Sequence, residues 1–157
     1  MALKIDRFEG ITDISCFMNE VAERGGVAVY STAGSGSAMD QSVQLVTYKA
    51  NPSGAVPVGL LLGDMVNIDQ TRQHKNFHKD EVQKGGKVTL LKDGWVTTNQ
   101  IEVGNSPAGG NVAYLSNSGL LTAASLGRTA TPAVGRFETS KDEEGSARVY
   151  IKLPQTY

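Results

Sequence analysis

The sequence predicts a mainly β fold, an antiparallel β-barrel or jelly-roll-like sandwich with an N-terminal helix or arm. Three observations carry that expectation. Glycine is high, at 18 of 157 residues, and Val, Ser and Thr are abundant, which suits short strands joined by tight turns. Alternating apolar runs recur at roughly the 8–12-residue spacing of sandwiches and barrels. Neither a regular strand–helix alternation nor a fixed-period repeat is present, so a doubly wound sheet and a solenoid are both disfavoured.

The first segment is the exception to the β pattern. Across residues 12–24, Ile14, Phe17, Met18, Val21 and Ala22 recur at the spacing of one helical face. Thr12 or Asp13 supplies an N-cap and Gly25-Gly26 a stop. A helix of about three turns is marginal alone, so its apolar stripe must pack on the β core or on another subunit. The chain therefore divides into an arm with an amphipathic helix, residues 1–25, and a β-domain, residues 26–157.

Strand-like runs follow. Residues 26–31 and 43–50 alternate, with a small-residue loop at 32–40 between them and a turn at Asn51-Pro52-Ser53-Gly54 after them. Residues 56–68 contain Pro57 and Gly63, and read as two short strands or one bulged strand. Residues 87–91 and 95–103 flank Lys92-Asp93-Gly94, a hairpin expectation resting on the positive φ that Asp-Gly supplies. Two more hairpins are expected around Asn117-Ser118-Gly119 and around the acidic turn at 141–145.

Composition bounds the function. Fifteen Lys+Arg against sixteen Asp+Glu give a net charge of −1, which removes the concentrated cationic face that phosphate binding needs. Nucleic acid is therefore not an expected partner. No apolar run approaches the length of a membrane span, and the first ten residues carry acids without an apolar signal core. A single cysteine leaves no internal disulfide, which fits an intracellular or virion protein.

The chemistry-bearing motifs are weak. His74 and His78 lie four apart, a metal-like spacing, but Lys75 follows the first and no third ligand is evident. The stretch 34–39 lacks the third glycine of a dinucleotide loop and the Gly-Lys-Ser/Thr of a P-loop. Cys16 has no basic partner to favour a thiolate, and Glu143-Glu144 falls in a turn where charge serves solubility. No enzyme, metal or cofactor is expected. The segment from Arg72 to Lys87 is cationic and longer than an ordinary hairpin loop; it reads equally as a solvated loop and as a contact surface.

Two blocks carry a family resemblance. Residues 69–99 resemble a segment of small structural proteins of tailed bacteriophages, including those of marine and cyanobacterial hosts. Residues 108–153 are similar in cadence to phage capsid decoration, or cement, proteins: Ala-Gly-Gly, a Val-Ala-Tyr-Leu strand, Gly-Leu-Leu-Thr, Val-Gly-Arg-Phe and a closing Val-Tyr-Ile-Lys-Leu strand. The resemblance implies a virion structural protein on the capsid exterior, assembled in the host cytoplasm and often trimeric. It would clamp the major capsid protein and stabilise the head against internal pressure. A head-fibre or tail component and a carbohydrate-binding β-sandwich are the alternatives; for the last, Trp95 is the one tryptophan available, and a lone Trp is more often core.

The expected contact residues are Leu3, Ile5 and Phe8 in the arm, Phe17 and Met18 on the helix, and Arg72, His74 and His78 in the polar segment. Leu3, Ile5 and Phe8 have the near-alternation of an extended segment. They could add a strand to a neighbour's sheet edge or form the first strand of the domain's own sheet. Chain order favours the outward arm, and loss of residues 1–10 is then expected to leave a folded protein that no longer decorates shells.

Overall fold

A computed structural model describes residues 3–31, 44–64, 68–69, 74–75, 80–123 and 132–153. Its strands are β1 (Leu3–Met18), β2 (Ala22–Glu23), β3 (Val27–Tyr30), β4 (Gln44–Thr47), β5 (Pro57–Asp64), β6 (Ile68–Asp69), β7 (His74–Lys75), β8 (Glu81–Val82), β9 (Lys87–Thr98), β10 (Val112–Leu115), β11 (Leu121–Thr122), β12 (Ala133–Phe137) and β13 (Ala147–Lys152). A single 3-10 turn, Asn117–Gly119, is the one helical piece among the described residues.

Nine strands make one mixed sheet in the order β1-β4-β3-β5-β9-β13-β12-β10-β11, and β1 also pairs with β9. Strands β1, β4, β3, β5 and β9 thus form a closed circuit of pairings. Strands β13, β12, β10 and β11 continue from the C-terminal half of β9. The sheet is mixed rather than purely antiparallel because β1 meets β4 in parallel over Cys16–Met18.

Two cores follow from this path. Cys16, Met18, Ala28, Val46, Leu61, Val88 and Leu90 fill the circuit. Leu3, Val27, Leu60, Leu91, Val96, Phe137, Val149 and Ile151 form the larger cluster, which extends under β13 and β12. Adjacent residues Leu60/Leu61 and Leu90/Leu91 divide between the clusters, so β5 is buried on both faces over Pro57–Leu62, as its near-continuous apolar run requires, and β9 is so at Leu90 and Leu91. Tyr48 packs against Gly26 and Gly119, accepts from the Gly26 N–H at 3.1 Å and donates to the Glu23 carbonyl at 2.6 Å.

The helix expected over residues 12–24 is not present. Residues 12–18 belong to β1, and the helical stripe is divided: Met18 and Ala22 are buried while Ile14 and Val21 are exposed. The cause is pairing with β9, which engages one side of the β1 backbone between Leu3 and Phe17. Register shifts between Leu3 and Arg7, Glu9 and Ile11, Ile11 and Thr12, and Asp13 and Cys16 insert extra residues into that ladder. Each bulge changes which face the next residue occupies, so a strand acquires apolar spacings near three and imitates a helix.

The expected hairpin at residues 92–94 is also corrected. β9 runs unbroken through Lys92, Asp93 and Gly94, between β1 on one side and β13 on the other. The other turns are where local chemistry put them. β10 and β11 pair across Asn117–Gly119, and β12 and β13 pair with Phe137 opposite Val149. At the latter turn Asp142 Oδ1 accepts from the N–H groups of Glu144 and Ser146, both at 2.9 Å. β5 is one bulged strand, with its shift between Leu61 and Gly63.

Candidate functional site

The outward face of the sheet formed by β1, β9, β13, β12 and β10 carries one transverse row. Phe8 stands opposite Trp95, Trp95 opposite Tyr150, Tyr150 opposite Arg136, and Arg136 opposite Val112. Directly opposed residues share a face, so these five side chains form a line roughly 19 Å long at ordinary strand spacing. The neighbours Val96, Val149, Phe137 and Ala113 point the other way, into the larger core. That burial fixes the register and holds the row outward.

The row ends in the apolar Phe8 and Val112, and charged groups flank its aromatic centre. The Arg148 guanidinium sits 3.5 Å from the Trp95 ring centroid, and Arg148 Nε lies 2.6 Å from Glu138 Oε2 without hydrogen-bond alignment. Tyr150 donates its hydroxyl to Asp93 Oδ1 at 2.6 Å; that bond, before desolvation, holds the phenol above its ordinary pKa and keeps it neutral. Trp95 and Tyr150 are half-buried, while Phe8 is 55% and Val112 40% exposed.

β1 carries further exposed apolar side chains. Ile5, Phe8, Ile11 and Ile14 are all exposed, at three-residue intervals set by the bulges. Among the described residues no strand pairs with residues 3–15 on the side away from β9; β4 joins only from Cys16 onward. Asp13 is held by local bonds: the Ser15 hydroxyl and N–H donate to Oδ1 at 2.6 and 2.8 Å, and Lys92 Nζ lies 3.2 Å from Oδ2. The Ser15 hydroxyl is the main reason its carboxyl titrates below the usual range. At the start of the strand Lys4 reaches Asp142 at 3.0 Å and Glu144 at 3.1 Å, tying β1 to the β12–β13 turn.

The residues singled out from sequence separate into three groups. Ile5 and Phe8 lie on the exposed part of β1. Leu3 and Met18 are fully buried, and Phe17 is nearly so, with Lys87 Nζ 5.7 Å from its ring centroid. His74 is a backbone position in β7, opposite Asp69, while Arg72 and His78 lie outside the described residues, as does the loop at 34–39. Trp95, Tyr150, Arg148 and Arg136 were not expected here. The signal was the alternation of Arg148, Tyr150 and Lys152 with buried Val149 and Ile151.

Among the described residues no group of three or more His, Cys, Asp or Glu side chains is placed to hold a metal. Cys16 is buried beside Gln44 Oε1 at 3.6 Å, and desolvation pushes its thiol up, away from a reactive thiolate. The sequence matches no protein-family model and no curated protein.

Proposed function

We propose that this chain is a non-enzymatic virion structural protein, a decoration or cement protein on the outside of a tailed-phage head. The observation that carries the reading is the outward row Phe8, Trp95, Tyr150, Arg136 and Val112, with the further exposed apolar side chains of β1. Aromatic residues and Arg at the centre of a patch, ringed by charge, are the composition of protein–protein hot spots. The polar groups around the row are engaged with one another, in Tyr150–Asp93 and Arg148–Glu138, which suits a preformed contact surface. The closed circuit of five strands would serve as a small barrel supporting that surface, and the resemblance of residues 69–99 and 108–153 supplies the phage context.

On this reading the partner is the major capsid protein, the location is the capsid exterior, and repeated copies, a trimer on the resemblance, raise avidity. The experiment is direct: particles are purified from an infected host and their proteins identified by mass spectrometry. Stoichiometric recovery on DNA-filled heads supports the reading; recovery only with isolated tails supports the tail-component alternative.

A carbohydrate-binding reading has one observation in its favour, an outward Trp95 beside Tyr150. Arg148 already occupies a face of that indole, which leaves less ring for stacking on a sugar. Glycan binding in solution that is lost in Trp95→Ala would favour this second reading over the first.

A further inference from the structure

Among the described residues, the side of β1 away from β9 is a long edge with exposed apolar side chains, the kind of strand that soluble proteins normally cover or blunt. Its bulges leave one unshifted window of three residues, Arg7–Phe8–Glu9, paired to Val96, Trp95 and Gly94. We infer that a second copy of this chain pairs antiparallel with that window, about a two-fold axis through Phe8.

Backbone direction comes first. The Phe8 carbonyl lies against Gly94, so it faces β9. N–H and C=O groups alternate sides along a strand, so those of Arg7 and Glu9 point to the open side. An antiparallel pair centred on Phe8 sets Arg7 opposite Glu9 of the second copy, and Glu9 opposite its Arg7. Four backbone hydrogen bonds then form at positions whose groups already point outward.

The side chains agree with that register. Two opposite-charge pairs flank the axis, and Phe8 faces its own counterpart in the close, non-hydrogen-bonded position. Within one chain Arg7 Nε already contacts Glu9 Oε1 at 2.6 Å, so pairing turns a two-charge contact into a ladder of four alternating charges. Charge complementarity selects a second copy over an unrelated edge. Moving the axis to Arg7 would set Arg7 against itself and Asp6 against Phe8, and moving it to Glu9 would set Glu9 against itself, so either slip opposes like charges.

The contact is isologous, so it links copies in pairs and does not by itself build a trimer. Its geometry is independent of the capsid reading. If both hold, the two outward rows become one continuous surface, because a two-fold perpendicular to the sheet keeps both rows on the same side.

Sedimentation velocity of the full-length protein over a concentration series tests the pairing. The wild type is expected to shift from monomer toward twice that mass as concentration rises. Glu9→Arg places like charges opposite one another and should weaken association by more than about tenfold. The double variant Arg7→Glu/Glu9→Arg restores complementarity and should recover it. Circular dichroism confirms that the variants are folded. Phe8→Cys should cross-link to a dimer on mild oxidation and Asp6→Cys should not, since the natural Cys16 is buried. A wild type that stays monomeric, an oligomer indifferent to Glu9→Arg, or a charge swap that fails to rescue overturns the inference. Shell binding is measured separately, so a protein that pairs but binds no shell contradicts only the capsid reading.

Discussion

Gly94 lies in β9 with φ +153°, and a Cβ there would collide with the Phe8 carbonyl oxygen. Replacing it with alanine must either push β1 away or distort β9, and should cost about 2–3 kcal/mol. Gly54 is the control: its φ is +71°, but a Cβ would meet open space, so Gly54→Ala should cost only about 1–2 kcal/mol of backbone strain. Urea midpoints of the two variants check the difference. Asp64 tests burial instead of fit. Its Oδ1 is buried without a hydrogen-bond partner among the described residues, and desolvation, followed by the Glu81 charge, raises its pKa to about 6. A carboxyl raised above its unfolded value of 3.8 stabilises the fold when protonated. That contribution is complete below about pH 4 and disappears as pH rises through about 6. Asp64→Asn should therefore raise the melting temperature at pH 7.5 and flatten its pH dependence between those values.

At the scale of elements, β1 decides how the chain is read. Leu3 is fully buried while Ile5 is 86% exposed, two residues apart in one strand. Leu3→Ala should cost about 2–4 kcal/mol, and Ile5→Ala should stay within about 0.5 kcal/mol, by chemical denaturation. Removing residues 1–10 takes away Leu3 and the pairing of Arg7, Phe8 and Glu9 with β9, so the truncated chain should be destabilised along with any loss of binding. The hairpins β10–β11 and β12–β13 were legible because their turns are local: Asn117-Ser118-Gly119 needs positive φ at Ser118 and Gly119, and Asp142 caps its own turn. The start of β1 was legible as an extended segment from Leu3, Ile5 and Phe8, but its second half was not, because Ile14, Phe17 and Met18, with Val21 and Ala22 beyond the strand, fall at the spacing of one helical face and the pairing with β9 that overrides it is non-local. Asp93-Gly94 misled for a related reason. The glycine answers a close approach by a distant chain segment, and no local pattern encodes that. Of the site itself, Ile5 and Phe8 were readable as outward apolar positions, whereas the Trp95 row needed the registers of four strand pairs.

The whole molecule combines a sheet buried on one side by the larger core with an outward face that is aromatic, apolar and ringed by charge. A contact surface of that kind requires rigid backing, and the continuity of Val96, Val149 and Phe137 beneath the row provides it. On the proposed function, this face attaches to a phage head. The most direct measurement of that attachment is binding of purified protein to expanded heads stripped of decoration, quantified as copies per shell. Wild type should saturate at a fixed stoichiometry. The variant Phe8→Asp/Ile11→Asp, altered only at exposed positions, should remain folded and lose most of its occupancy. Full occupancy by that variant, or no saturable binding by the wild type, would contradict the account.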